Sequence, residues 1–140
     1  MLEISSKLNA EIRKIAKDGD AQANKGNWAG QIEKYQEVWK LVPEPKLDWD
    51  GGTWIIGGIA EAFYQMKQFD HAKEFFLQGL DCHRGEQNSF LQLRLGQIYF
   101  DEGDLEKAKA HLKKAWDLSE GRAFVGEPKK YRDFLLKLND

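Results

Sequence analysis

Three histidines (His71, His83 and His111), one cysteine (Cys82) and two glycine pairs (Gly51-Gly52 and Gly57-Gly58) are the residues here whose types could do chemistry. Histidines on one helix can share a metal when they stand four apart, and no two of these do. Asp81, Cys82 and His83 are consecutive, and consecutive helical residues point away from one another. Cys82 therefore reads as a small apolar core residue. Gly52-x4-Gly57 has the glycine spacing of a phosphate-cradling loop, but Gly58-Ile59 follows where that loop needs lysine and a magnesium-binding hydroxyl. The dinucleotide pattern Gly-x-Gly-x-x-Gly is absent, and no strand precedes the glycines. Carboxylates such as Glu102, Asp104 and Glu106 fall in solvated helix-face patterns. These residues predict no catalytic group, no metal site and no cofactor, and so no enzyme.

The bulk numbers agree with a binding protein of ordinary build. The chain has 140 residues, 41% hydrophobic and 31% charged, with a net charge of −2. That length predicts one domain with a real core. The balance of charge excludes the basic stripe of a nucleic-acid or membrane-surface binder. A single cysteine cannot form an intrachain disulfide, which predicts a reducing, cytoplasmic setting. The opening MLEISSKLNAEIRK lacks the apolar core of a signal peptide, and no run reaches the length of a membrane span.

The elements that would position these residues come from internal repetition. Gly26-Asn-Trp28, Lys67-Gln-Phe69 and Gly103-Asp-Leu105 each form a short turn followed by a run of helical periodicity. Aligned on that turn, Ala72 matches Ala108, and Phe76 matches Leu112 and Tyr35. Upstream, Leu95-Gly96-Gln-Ile-Tyr99 and Ile59-Ala60-Glu-Ala-Phe63 share a large residue, a small one and an aromatic three further on. This resembles the tetratricopeptide repeat, a helix with Leu-Gly-x2-Tyr, a tight turn and a helix with Ala-x3-Phe. The third unit matches best. The first departs from the pattern, with Asp18-Gly19 for Leu-Gly and Gln31 for alanine.

The resemblance implies an all-α fold: a superhelix of three helix-turn-helix repeats (about 4–43, 46–84 and 88–120) in one domain, 1–140, with a capping helix at about 128–138. Periodicity predicts seven helices at about 4–24, 28–41, 46–66, 69–83, 89–101, 105–119 and 128–138. The step of 41 residues from Gly26 to Lys67 exceeds the usual repeat of about 34. Trp49, Thr53, Ile56, Ala60 and Phe63 step 4, 3, 4, 3, which predicts that a long third helix absorbs the excess. Four glycines in that helix would cost about 4 kcal/mol relative to alanine. Two accounts could offset this: close packing of a neighbouring helix, or a bare face on which a partner lies.

In a tetratricopeptide array the first helix of each pair lines a concave face. The predicted partner-binding residues there are Asp50, Trp54, Gly57, Glu61 and Tyr64 in the second repeat and Phe90, Arg94, Gln97, Phe100 and Asp101 in the third. Arg13, Ala16, Asp20 and Ala23 are their counterparts in the first. Aromatic anchors among Asp20, Asp50, Glu61 and Asp101 would suit a basic protein partner and repel nucleic acid. Chaperone-binding members of the family use a lysine- and asparagine-rich clamp where this chain has Ala16 and Asp20, which argues against that role. The layout, with its insert Val42–Ile55 and its ending Glu120–Leu135, resembles small stand-alone bacterial members encoded beside polymorphic toxins. That resemblance implies an immunity protein that neutralises a toxin domain with a basic surface. The alternative is a housekeeping scaffold or adaptor that recruits a peptide or protein.

Overall fold

A computed structural model describes residues 2–137. Among these are seven α helices: α1 (Ser6–Asn24), α2 (Trp28–Leu41), α3 (Gly52–Gln65), α4 (Phe69–Leu80), α5 (Ser89–Asp101), α6 (Leu105–Ser119) and α7 (Lys129–Lys137). No strand occurs among the described residues, only an isolated bridge between Leu2 and Trp49. No described helix is long and apolar enough to cross a membrane. The chain forms two compact units, Met1–Gly85 with α1 to α4 and Glu86–Asp140 with α5 to α7.

Helices pair in sequence order, α1 with α2, α3 with α4, and α5 with α6, a helical-repeat arrangement. Starts are fixed by side-chain caps. Ser5 Oγ accepts from Leu8 N–H at 3.1 Å, Asn27 Oδ1 from Gly30 N–H at 3.0 Å and Asn88 Oδ1 from Leu91 N–H at 3.1 Å, each satisfying a backbone donor that the helix itself leaves unpaired. Each pair turns the same way. Gly26, Lys67 and Gly103 all take the left-handed conformation, with φ of 79°, 61° and 86°. The next N–H then reaches back five residues: Asn27 to Gln22 O at 2.8 Å, Gln68 to Phe63 O at 2.9 Å and Asp104 to Tyr99 O at 2.9 Å.

Small residues lie where helices meet. Ala60, Ala72 and Ala108 are fully buried. A Cβ on Gly96 would come within 2.6 Å of Leu112, and one on Gly19 within 3.0 Å of Tyr35. These are equivalent pairs in the third and first repeats, so Gly19 keeps the packing rule although its neighbours depart from the pattern.

The long third helix is not formed. Lys46–Asp48 is a 3-10 turn, and Trp49 is extended with ψ of 133°. Helix α3 begins only at Gly52. Trp49 is buried, as a helical face would require, but for another reason. Its ring folds back over Gly51, where a Cβ would lie 2.3 Å from Cζ2. Leu2 N–H donates to Asp48 O at 2.9 Å and holds the segment from the other side. The excess residues are thus a loop pinned by the N-terminal segment. Asp50, expected on the helix, lies outside it. Helix α4 also ends at Leu80 rather than near 83, ahead of Arg84, which is left-handed with φ of 60°. Of the expected capping helix, Tyr131 and Leu135 are buried, while Leu138 lies outside the described residues.

Candidate functional site

In the unit Met1–Gly85, α1 and α3 flank Tyr35 of α2, and this tyrosine organises the face they present. Its ring is 3% exposed. One edge lies against Gly19, and the other against Gly58, where a Cβ would stand 2.3 Å from Cε2. The second glycine pair therefore packs a neighbouring helix of the same chain at Gly58. Gly52 packs instead against the loop after α4, since its Cβ would meet Cys82 Sγ at 3.1 Å. Gly57 is buried within α3.

The Tyr35 hydroxyl donates to Asp20 Oδ1 on α1. Burial, with Asp20 adding, pushes the Tyr35 pKa up to about 12, so it remains a neutral donor. Trp54 sits edge-on to Tyr35 with ring centroids 6.3 Å apart, and 6.4 Å from Trp49. It keeps 39% of its surface exposed. Asp50 is exposed and lines a cavity of about 300 Å³ with Asn9, Arg13 and Trp49. Further along α3, Glu61 is half-buried and accepts from Gln65 Nε2 at 3.2 Å. Tyr64 is half-buried, edge-on to Phe69 at 5.2 Å and Phe76 at 6.5 Å. The opposite side of α3 floors an apolar recess of about 330 Å³ with Trp39, Ile56, Ile59 and Phe75, which shows no comparable grouping of carboxylates.

In the unit Glu86–Asp140 the expected groove residues of α5 are mostly covered. Arg94 is 8% exposed and Gln97 fully buried. Glu127 Oε1 accepts from Arg94 Nη1 and from Gln97 Nε2, at 2.6 and 2.7 Å. Arg94 Nη1 also donates to Gln97 Oε1 at 2.8 Å. Phe100 packs edge-on against Tyr131 and Phe134 of α7, at 5.5 and 5.0 Å. Asp101 accepts from Tyr131 Oη at 2.8 Å and pairs with Lys130 at 3.1 Å. Phe90 keeps 37% of its surface exposed, with the Arg94 guanidinium 5.1 Å from its ring centre, and Asp101 is exposed as well. The expectation of an open α5 face is corrected for Arg94, Gln97 and Phe100: α7 and the loop before it lie over them. An arginine buried in the core needs a carboxylate, and Glu127 supplies one from 33 residues away.

The residues with chemical potential are held structurally. Cys82 is buried, and burial, then Asp81, pushes its thiol up to about 11, which leaves it protonated and unreactive. His111 Nδ1 lies 2.7 Å from Gln92 Oε1, and its ring stacks on Tyr99 at 5.4 Å. Because Gln92 Nε2 donates to Glu86 O at 3.0 Å, the Gln92 oxygen is the acceptor and His111 carries its proton on Nδ1. Burial lowers the His111 pKa. His71 rests on Phe63, ring centroids 5.2 Å apart. Among the described residues no group of three or more His, Cys, Asp or Glu could hold a metal ion.

Sequence reasoning placed Trp54 and Asp20 on one face but missed Tyr35 as the residue that joins them. Gln31, standing where alanine was expected, was the available signal. A polar side chain at a packing position asks for a buried polar partner.

Residues 91–121 match the family described as tetratricopeptide repeat. The match falls on α5 and α6, where the pattern is cleanest, and it supports a tetratricopeptide-repeat protein. No curated protein matches the chain.

Proposed function

We propose that this chain is a non-catalytic protein-binding module whose α1/α3 face captures a basic protein, and that it serves as an immunity protein against a toxin domain. The repeat match supports the interaction role. One observation carries the choice of face: Trp54 is 39% exposed and packs edge-on to Tyr35, whose hydroxyl donates to Asp20, a carboxylate that forms no ion pair among the described residues. An aromatic anchor with an uncompensated acceptor suits a basic surface. The toxin part of the proposal rests on the layout's resemblance to stand-alone members encoded beside polymorphic toxins. The three hairpins are taken as repeats of one domain.

The test asks whether a toxin domain is encoded next to this gene, whose absence removes the immunity role, and co-expresses the two. Growth should be rescued by the wild type and lost with Trp54→Ala, with the fold checked by circular dichroism. Failure to rescue removes the immunity role. Rescue that persists in Trp54→Ala and in Asp50→Lys removes the α1/α3 face.

A further inference from the structure

We infer that Asp20, Tyr35 and Trp54 form a preorganised seat for one cationic side chain of the partner, with arginine preferred over lysine. The inference rests on the reading that the α1/α3 face binds protein. The Tyr35 hydroxyl donates to Asp20, and the Tyr35 ring meets the Trp54 indole edge-on at 6.3 Å. A carboxylate and an exposed indole are thereby fixed next to each other before any partner arrives. Fixing such groups in advance removes ordering costs from binding. Tyr35 is itself immobilised, because Gly19 and Gly58 meet the two edges of its ring.

The cluster is short of donors. Asp20 accepts one bond on Oδ1, from Tyr35. The Gln31 carbonyl oxygen, next to it on α2, is buried with no hydrogen-bond partner. No cation of the described chain pairs with Asp20. The nearby Lys34, whose Cβ would lie 3.1 Å from a Cβ on Gly19, is engaged with Glu37 at 3.4 Å. Arg13 shares the adjoining cavity with Asp50, which leaves Asp20 as the carboxylate of the seat. A guanidinium satisfies both halves at once: its planar face stacks on an indole while its donors reach a carboxylate. An ammonium does each less well, since it is compact and strongly hydrated.

The experiment titrates the intact protein with capped tetra-arginine, tetra-lysine and tetra-glutamate peptides, following the tryptophan indole N–H signals by two-dimensional NMR. Trp54 is assigned by its absence in Trp54→Phe. The Trp54 signal should shift saturably with tetra-arginine, about threefold or more tighter than with tetra-lysine, and not with tetra-glutamate. Asp20→Asn keeps an acceptor for Tyr35 but removes the charge, and should weaken tetra-arginine about fivefold to tenfold. Asp117→Asn, an exposed carboxylate on α6, should change nothing. Tyr35→Phe should lower the arginine-to-lysine ratio toward one, which a loss of stability alone would not do. The inference is overturned if Trp54 moves no more than the other indoles, or if Asp20→Asn and Asp117→Asn weaken binding equally. The two readings separate cleanly in the toxin assay. If Trp54→Ala loses protection and Asp20→Asn does not, the face stands and the cation seat fails.

Discussion

Replacing Gly58 by alanine should destabilise the protein, although alanine is the better helix former. The new Cβ would lie 2.3 Å from Cε2 and 2.7 Å from Cδ2 of Tyr35. Ordinary carbon contacts are about 3.5–4.0 Å, so the overlap exceeds an ångström. The ring has little room to yield, because its other edge lies against Gly19 closely enough to put a Cβ there at 3.0 Å. Its hydroxyl is also tied to Asp20. Overpacking of a filled core costs about 1–3 kcal/mol, and the top of that range applies here. Helix propensity returns about 1 kcal/mol, for a net loss of about 2 kcal/mol. Urea denaturation followed by circular dichroism would read this directly. The same substitution made in Tyr35→Leu should be neutral or stabilising by up to about 1 kcal/mol, since only propensity remains. A stabilised Gly58→Ala in the wild-type background would show that the ring is not clamped and would refute the account of the second glycine pair.

Four further outcomes follow from the same geometry. Tyr35 titrates near 12 when folded against 10.0 for the unperturbed group, so its contribution to stability is intact below pH 10 and lost as pH rises through 12; ultraviolet titration should show one late tyrosine that Tyr35→Phe removes. Cys82 should resist thiol reagents at neutral pH until the protein unfolds, because its thiol is raised to about 11 and lies 3.1 Å from where a Gly52 Cβ would be. Glu127→Gln should cost about 2 kcal/mol in urea, less than the roughly 3–5 kcal/mol of a fully buried pair, since the Glu127 side chain keeps 22% of its surface exposed. Lys67→Gly should stabilise by about 1 kcal/mol, because Lys67 holds a left-handed φ of 61° that glycine adopts without strain.

Helix positions were legible wherever apolar periodicity and a cap agreed: α2, α5 and α6 run over the ranges expected from the sequence. The third helix was misjudged because Trp49 satisfies a helical rhythm while being buried by other means. Its partner Leu2 is 47 positions away, and periodicity does not report contacts at that range. The α5 face failed for a related reason. Arg94 and Gln97 have the local spacing of a solvent-facing stripe, and only Glu127, across an intervening helix and loop, turns them into a buried network. Trp54 and Asp20 were readable as one face, because each lies on a helix whose register the sequence does fix. The tyrosine that couples them was not, since Tyr35 occupied a position that the repeat pattern assigns to a plain large apolar residue.

The three left-handed turns have a consequence for how far such a chain can drift. At Gly26 and Gly103 a Cβ would meet nothing within 4 Å, so these positions are governed by backbone handedness and not by side-chain packing. Lys67 keeps the same handedness with a residue that does not favour it. What is copied from hairpin to hairpin is therefore a sign of φ and a backbone bond spanning five residues, both of which tolerate wide changes in residue identity. The tetratricopeptide-repeat match falls on residues 91–121, while the same turn geometry is present in the other two hairpins. Divergent repeats of this kind are better sought by the handedness of their turns than by their sequence.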